Sequence, residues 1–251
     1  MEFLDCNLNY GPQTATEDLK CCENIADLTA NMERSGVSGG LVIKTIKEAV
    51  LANSSLADDI RDIREISMLK GVWQILPSCT GEIAPPHELP RLMKQNNIAA
   101  ISMNPKAHRY MPRKFAVGDY LEMACERKIP VLLNTARGLT LEQAADIMLD
   151  FPDLTAVLTF DNCWGSDRLL RPFLDAYPNL CLDMTYMLTD CGLPDLLKKY
   201  AADKILFGSG YPVSYMGAHI LVIKHAEISE DAKIKIAGAN LRKLMEGACY
   251  D

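Results

Sequence analysis

The sequence predicts a single (β/α)8 barrel, and three observations carry that reading. The chain has 251 residues, the length at which one such barrel typically closes. Its apolar residues fall into eight short segments rich in β-formers, separated by stretches with helical spacing. No glycine-rich phosphate turn follows the first segment, which runs instead into Asn7-Leu8-Asn9-Tyr10-Gly11-Pro12. A dinucleotide-binding sheet would need that turn. Strict alternation of the two element types implies parallel strands joined by right-handed crossovers. Eight units within this length favour a barrel over an open doubly wound sheet.

The strand segments are expected, in order, at Phe3–Leu8, Gly40–Lys44, Val72–Leu76, Ala99–Asn104, Pro130–Asn134, Ala156–Asp161, Leu180–Thr185 and Ile205–Ser209. Leu19, Ile25, Leu28 and Met32 mark the first helix, and Ile60, Ile63, Ile66 and Leu69 the second. Leu121, Ala124 and Cys125 follow, then Leu141, Ala144, Ala145 and Met148, and then Leu169, Leu170, Phe173 and Leu174. Leu193, Leu196 and Leu197 precede the last strand. The chain ends on an amphipathic helix over Glu230–Met245, with Ile234, Ala237, Leu241 and Leu244 forming one stripe. Pro130 and Pro178 stand just before strands, and Gly138 and Gly192 just after them. No linker, low-complexity segment or charge block divides the chain, so residues 1–251 read as one domain with an extra C-terminal helix.

Apolar residues make up 49 % of the chain and charged residues 24 %, enough to fill one large core and to solvate it. A net charge of −7 argues against nucleic acid as a partner, because phosphate binding needs a basic surface. No apolar stretch is long enough to span a bilayer, and no leader pattern follows Met1, so the expected location is the cytoplasm. The nine cysteines include no CxxC pair and several lie inside apolar runs, which fits reduced thiols.

Several motifs point to a family. Lys204-Ile205-Leu206-Phe207-Gly208-Ser209-Gly210-Tyr211-Pro212 resembles the ILFGSDYP end of strand eight in the amidohydrolase-related family of metal-dependent hydrolases and decarboxylases. Leu4-Asp5-Cys6-Asn7-Leu8-Asn9 stands where that family has D-x-H-x-H. Ile129-Pro130-Val131-Leu132-Leu133-Asn134-Thr135 is similar to its PVLIHTG. Phe151-Pro152-Asp153-Leu154, Tyr177-Pro178-Asn179-Leu180 and Ile236–Leu244 resemble three further family segments in the right order. The resemblance implies a metal held by strand-one, strand-five and strand-six histidines and a strand-eight aspartate. The matching positions here are Asn7, Asn9, Asn134, Phe160 and Gly210. Carboxamides are poor ligands for a zinc-like cation, and phenylalanine and glycine have no ligating side-chain atom. The expectation is therefore no metal and no cofactor.

Barrels of this class work at the C-terminal ends of their strands. The residues expected there as ligand contacts are Asn7, Asn9, Lys44, Asn104, Arg109, Asn134, Arg137 and Tyr211. Carboxamides both donate and accept, and the arginines and Lys44 favour an anion, so a small polar or anionic molecule is the expected partner. Lys44, Asp161 and Asp183 are the candidates for metal-independent hydrolase or lyase chemistry, Lys44 as a Schiff-base former or carboxylate anchor and the aspartates as acid and base. An ordinary ion pair for Lys44 and structural support for Asp183 are the competing readings. Non-catalytic use of the barrel, as a scaffold, a homo-oligomer or a partner of an active homologue, also remains open.

Overall fold

The computed structural model describes residues 1–11, 22–44, 63, 66–160, 167–188 and 191–251. Eight strands form one parallel sheet in chain order: β1 (Leu4–Tyr10), β2 (Gly39–Lys44), β3 (Leu69–Gln74), β4 (Ile98–Ser102), β5 (Val131–Asn134), β6 (Ala156–Thr159), β7 (Leu180–Asp183) and β8 (Ile205–Leu206). The first and last strands meet through the Cys6 amide donating to the Phe207 carbonyl (2.9 Å) and a parallel bridge between Leu8 and Tyr211. The result is the expected single-domain (β/α)8 barrel. Among the described residues no helix is long and apolar enough to cross a membrane.

The helices begin and end where local chemistry dictates. In α1 (Ile25–Ser35) the Asn24 side chain accepts from the Asp27 amide, and Gly36 closes the helix in the left-handed region at φ 82°. Helices α2 (Leu89–Gln95), α3 (Lys114–Arg127), α4 (Leu141–Asp150), α5 (Asp167–Ala176), α6 (Gly192–Leu197) and α7 (Met216–His225) follow in the shell. Thr140 and Gln143 form a reciprocal capping box at the start of α4.

The terminal helix, α8, is α-helical over Glu230–Ile234, widens to a π turn over Lys235–Ala239 and returns to α over Asn240–Glu246. A π turn releases a carbonyl from the helical ladder. Here the Ile236 carbonyl accepts from the Phe207 amide at 3.0 Å, and Asn240 donates to the Ala202 and Ile205 carbonyls at 2.8 Å. The helix is thus bonded to β8. The widened turn also changes its phase, and this corrects the expected stripe. Ile236, Ala237 and Leu241 are buried, whereas Ile234 is 52 % exposed. The second predicted helix needs a correction too, because Leu69 opens β3 rather than closing a helix. Leu19 and Ile60 lie outside the described residues.

Alternation of side chains along each strand divides the apolar residues into two cores. The larger lies between sheet and helices and includes Leu8, Tyr10, Val42, Trp73, Ile101, Leu133, Leu158 and Leu182. The smaller fills the barrel itself with Leu4, Cys6, Leu41, Ile43, Val72, Ala100, Leu132, Val157 and Leu206, sealed by Leu241 of α8.

Candidate functional site

The inner core ends abruptly on a polar layer. Leu132 and Val157 face the barrel axis and Cys181 packs beside them. Two residues further on, the same parity turns Asn134, Thr159 and Asp183 inward, and these three are register partners across β5, β6 and β7. On β1 the register slips between Asp5 and Leu8, so that three steps of β1 span two of β2. A bulge of this kind re-aims side chains. It leaves Leu4 and Cys6 in the inner core below and both Asn7 and Asn9 in the polar network above. Gly40 permits the bulge, since a Cβ there would lie 2.0 Å from the Asp5 carbonyl oxygen.

Asp183 is the hub. Its Oδ2 accepts from the Thr159 hydroxyl (2.7 Å) and Asn7 Nδ2 (2.9 Å), and its Oδ1 from the Thr185 amide (2.8 Å). The Thr185 hydroxyl lies 2.8 and 3.0 Å from the two carboxylate oxygens and accepts from Asn7 at 3.1 Å. From this hub a chain of carboxamides leads outward. Asn9 Nδ2 donates to Asn7 Oδ1 (3.3 Å) and to the Tyr211 carbonyl (3.0 Å), and Arg137 Nη2 donates to Asn9 Oδ1. The two ends fix the direction of every bond between them. A guanidinium can only donate and an ionised carboxylate can only accept, so each amide turns its oxygen toward Arg137 and its nitrogen toward Asp183.

Electrostatics differ sharply along this chain. Burial raises the Asp5 carboxyl from 3.8 to about 6, opposed by bonds from Ser209 and Asn7 and assisted by the Asp183 charge. Asp5 Oδ1 accepts from the Asn7 and Ser209 amides, while Oδ2 is buried without a partner. Burial, then the charges of Asp183 and Asp5, push the Cys6 thiol well up, which keeps it neutral. At the outer end burial lowers half-buried Arg137 to about 10, with Tyr186 acting in the opposite sense, so the guanidinium remains charged at neutral pH.

The strand-eight side of the site is closed by close approach. A Cβ at Gly208 would sit 2.0 Å from Asp183 Oδ1, and one at Gly210 would sit 2.6 Å from the Thr185 methyl. Thr185 itself is held from behind: Nε2 of fully buried His219, on α7, lies 2.7 Å from its carbonyl. No sequence motif marks His219 as part of this site. Nor does any motif mark Thr159, the last residue of β6, or Thr185, the last residue of the expected segment Leu180–Thr185.

The remaining expected residues divide. Asn7, Asn9, Asn134, Arg137 and Asp183 come together. Tyr211 takes part through its backbone, while its ring belongs to the outer core. Asn104 caps the turn Pro105–His108, accepting from the Ala107 amide, and its Oδ1 lies 3.2 Å from where a Gly138 Cβ would be, beside Arg137. Arg109 ends that turn with φ 56° and is exposed. Lys44 stands over the Tyr10 ring, 5.7 Å from its centroid, on the shell side of β2 rather than at the axis. Phe160 also packs in the shell, and the axis-facing residue of β6 is Thr159. Asp161, Cys163 and Trp164 lie outside the described residues. Among the described residues no three His, Cys, Asp or Glu side chains converge into a group able to hold a metal ion.

Comparison with known proteins agrees with the sequence motifs. Solved structures share the whole architecture at low identity. An uncharacterized TIM-barrel protein from Bordetella bronchiseptica is 19 % identical with a TM-score of 0.71, covering 98 % of this chain and 99 % of its own. A 5-carboxyvanillate decarboxylase from Sphingomonas paucimobilis is 14 % identical with a TM-score of 0.72 and the same coverage. A 2,6-dihydroxybenzoate decarboxylase from Rhizobium is 12 % identical, again with a TM-score of 0.72, covering 98 % and 99 %. No curated protein sequence matches. The family model described as Amidohydrolase matches residues 69–245, well over half of the chain, and the chain therefore belongs to the amidohydrolase family.

Proposed function

We propose that the barrel mouth binds a small organic anion, a carboxylate foremost, and that Arg137 rather than a metal ion supplies the positive charge. The carrying observation is the state of Arg137. It is half-buried, and its one hydrogen-bond acceptor among the described residues is the neutral carboxamide of Asn9. A buried cation without a carboxylate beside it is costly, and an anionic ligand would remove that cost. Planar carboxylates suit the fork of N–H donors that Asn9 leaves available. Two of the structural neighbours are named for decarboxylating aromatic carboxylates, which supports the same ligand class here.

The divalent cation that the family implies does not fit these residues. The Asn7 oxygen already accepts from Asn9, and the Asn9 oxygen accepts from Arg137. Both Asp183 oxygens are engaged by Thr159, Thr185 and Asn7. A cation needs several lone pairs, and among Asn7, Asn9, Asn134 and Asp183 only Asn134 Oδ1 keeps its own unengaged, a single neutral oxygen. The Asn7, Asn9 and Asp183 oxygens are taken by amide, hydroxyl and guanidinium donors. The same saturation makes Asp183 an anchor rather than an acid or base, and Lys44 stands over the Tyr10 ring on the shell side of β2. Chemistry centred on Lys44, Asp161 and Asp183 therefore has less support than binding.

The test is a titration with 2,6-dihydroxybenzoate, acetate and inorganic phosphate in the presence of EDTA, read by thermal shift and calorimetry. A carboxylate should stabilise the protein regardless of EDTA. Arg137→Ala should weaken its binding about tenfold or more, the worth of one charge-assisted hydrogen bond of about 1.5–3 kcal/mol. Silence from all three anions, or binding abolished by EDTA and restored by one zinc per chain, would count against the proposal.

A further inference from the structure

We infer that Asn9, Asn7 and Asp183 form a polarised relay that aims the Arg137 guanidinium, so that Asp183, although it touches no ligand, sets how well the mouth holds an anion. This rests on the anion-site reading above and adds three positioning residues to it. Each bond of the relay is present: Arg137 Nη2 to Asn9 Oδ1, Asn9 Nδ2 to Asn7 Oδ1, and Asn7 Nδ2 to Asp183 Oδ2. A carboxamide chain between a donor-only and an acceptor-only group has one self-consistent orientation, and each bond polarises the next. The far end is immobile, because Thr159 and Thr185 hold Asp183, and His219 holds Thr185. The relay members are also packed, with Asn7, Asn9 and Asp183 all nearly inaccessible to solvent. Arg137 is less fully covered than these three, being half-buried. It sits in the single turn Thr135–Arg137 that follows β5, before the left-handed Gly138. Among the described residues, the hydrogen bond that directs it is the one to Asn9.

This arrangement fits an anchor that must present a fixed edge of its guanidinium. Preorganised donors bind more tightly than mobile ones, because the ligand does not have to order them. Asn9 plays two roles in the relay and a single substitution separates them. Asn9→Asp keeps an acceptor for Arg137 but loses the donor to Asn7 and places a negative charge against the guanidinium. It should abolish anion binding while leaving Arg137 held. Asn9→Ala should release Arg137 altogether.

The experiment is NMR of protein carrying 15N-labelled arginine, in wild type, Asn9→Ala, Asn9→Asp, Asn7→Ala and Asp183→Asn, with and without 2,6-dihydroxybenzoate. In the wild type the Arg137 guanidinium should show restricted rotation, with resolved Nη signals and slowed proton exchange. Asn9→Ala should average those signals and speed exchange about tenfold. Asn7→Ala and Asp183→Asn, which leave the Asn9 oxygen in place, should each produce an intermediate loosening, and a three- to tenfold weaker titration of the Arg137 signal by the benzoate. Asp183→Asn retains hydrogen-bonding shape and guards against mere unfolding of the variants. Wild-type signals in Asn7→Ala and Asp183→Asn would overturn the relay even where Arg137→Ala abolishes binding. Restricted rotation that depends on Asn7 and Asp183, without any response to benzoate, would uphold the relay and sink the ligand reading.

Discussion

The lower and upper halves of the barrel interior follow one another along β5 and β6 with the same parity, yet they are held together by different forces. Below, Leu41, Val72, Leu132, Val157 and Leu206 pack as an ordinary dry core that α8 seals with Leu241. Above, one strand position further along the same face, Asn134, Thr159 and Asp183 replace them, with Asn7 from β1 completing the group. The lower half draws its stability from area removed from water, which tolerates changes of shape within limits. The upper half draws it largely from hydrogen bonds, although Asn134 Oδ1 has no partner, and such bonds tolerate little change, because a buried donor left without a partner costs about 1–3 kcal/mol. Burial is therefore similar in the two halves, and what differs is how a single substitution propagates.

The largest expected effect is in the upper half. Asp183→Ala would strand the Asn7 amide, the Thr159 hydroxyl and both donors of Thr185 at once. A loss of about 4–5 kcal/mol in unfolding free energy is expected, together with loss of anion binding. In the lower half, Leu41→Ala removes a fully buried side chain and should cost about 3 kcal/mol, leaving anion affinity within twofold of wild type. Urea denaturation paired with an anion titration checks both. If Leu41→Ala changed affinity as much as Asp183→Ala, the two halves would not be separable.

A third test uses pH. The Asp5 carboxyl, raised from 3.8 to about 6 mainly by burial, binds its proton more tightly in the folded than in the unfolded chain. Its contribution to stability is thus complete below about pH 4 and is lost as pH rises through about 6. That elevation, at about 1.4 kcal/mol per pH unit, corresponds to about 3 kcal/mol. Asp5→Asn keeps an acceptor for the Asn7 and Ser209 amides and removes the titration. The difference between variant and wild-type stability should then change by about 2–3 kcal/mol in favour of the variant between pH 4 and pH 7. A difference independent of pH would mean that Asp5 is not buried as described.

How much of this could be read beforehand follows from the same parity. Eight strands and the terminal helix were legible because apolar segments and breakers alternate over the whole chain, and the three asparagines were legible because they fall on recognisable motif positions. What the sequence hid were facings. Lys44 and Phe160 lie one residue out of phase with the axis and turn to the shell, where Tyr10 and the outer core receive them. The bulge in β1 brings Cys6 and Asn7, which are adjacent, to the axis together, and simple alternation cannot foresee that. His219 reads as one polar residue on a shell helix, and only the fold reveals a carbonyl of the β7 end beside it. Ile234 fails for a similar reason, since the π turn of α8 alters the helical phase after it.

The smallest expected effect sharpens the contrast most. In the lower half every residue adds to stability, so truncation there should only destabilise. Arg137 is different: it is half-buried, burial lowers its guanidinium to about 10, and no carboxylate pairs with it among the described residues. Replacing such a charge with an apolar side chain of similar reach often leaves stability unchanged or improves it. Arg137→Leu should accordingly raise the unfolding free energy of the ligand-free protein by about 0.5–1 kcal/mol, part of the gain being offset by the acceptor left open on Asn9. The same variant should show no stabilisation by 2,6-dihydroxybenzoate. Side chains kept at a cost to stability mark positions where function, rather than packing, sets the residue. Thermal melts of the two proteins with and without benzoate measure both quantities at once. A variant less stable than wild type in the absence of anion would make Arg137 a structural element of the mouth instead of its ligand anchor.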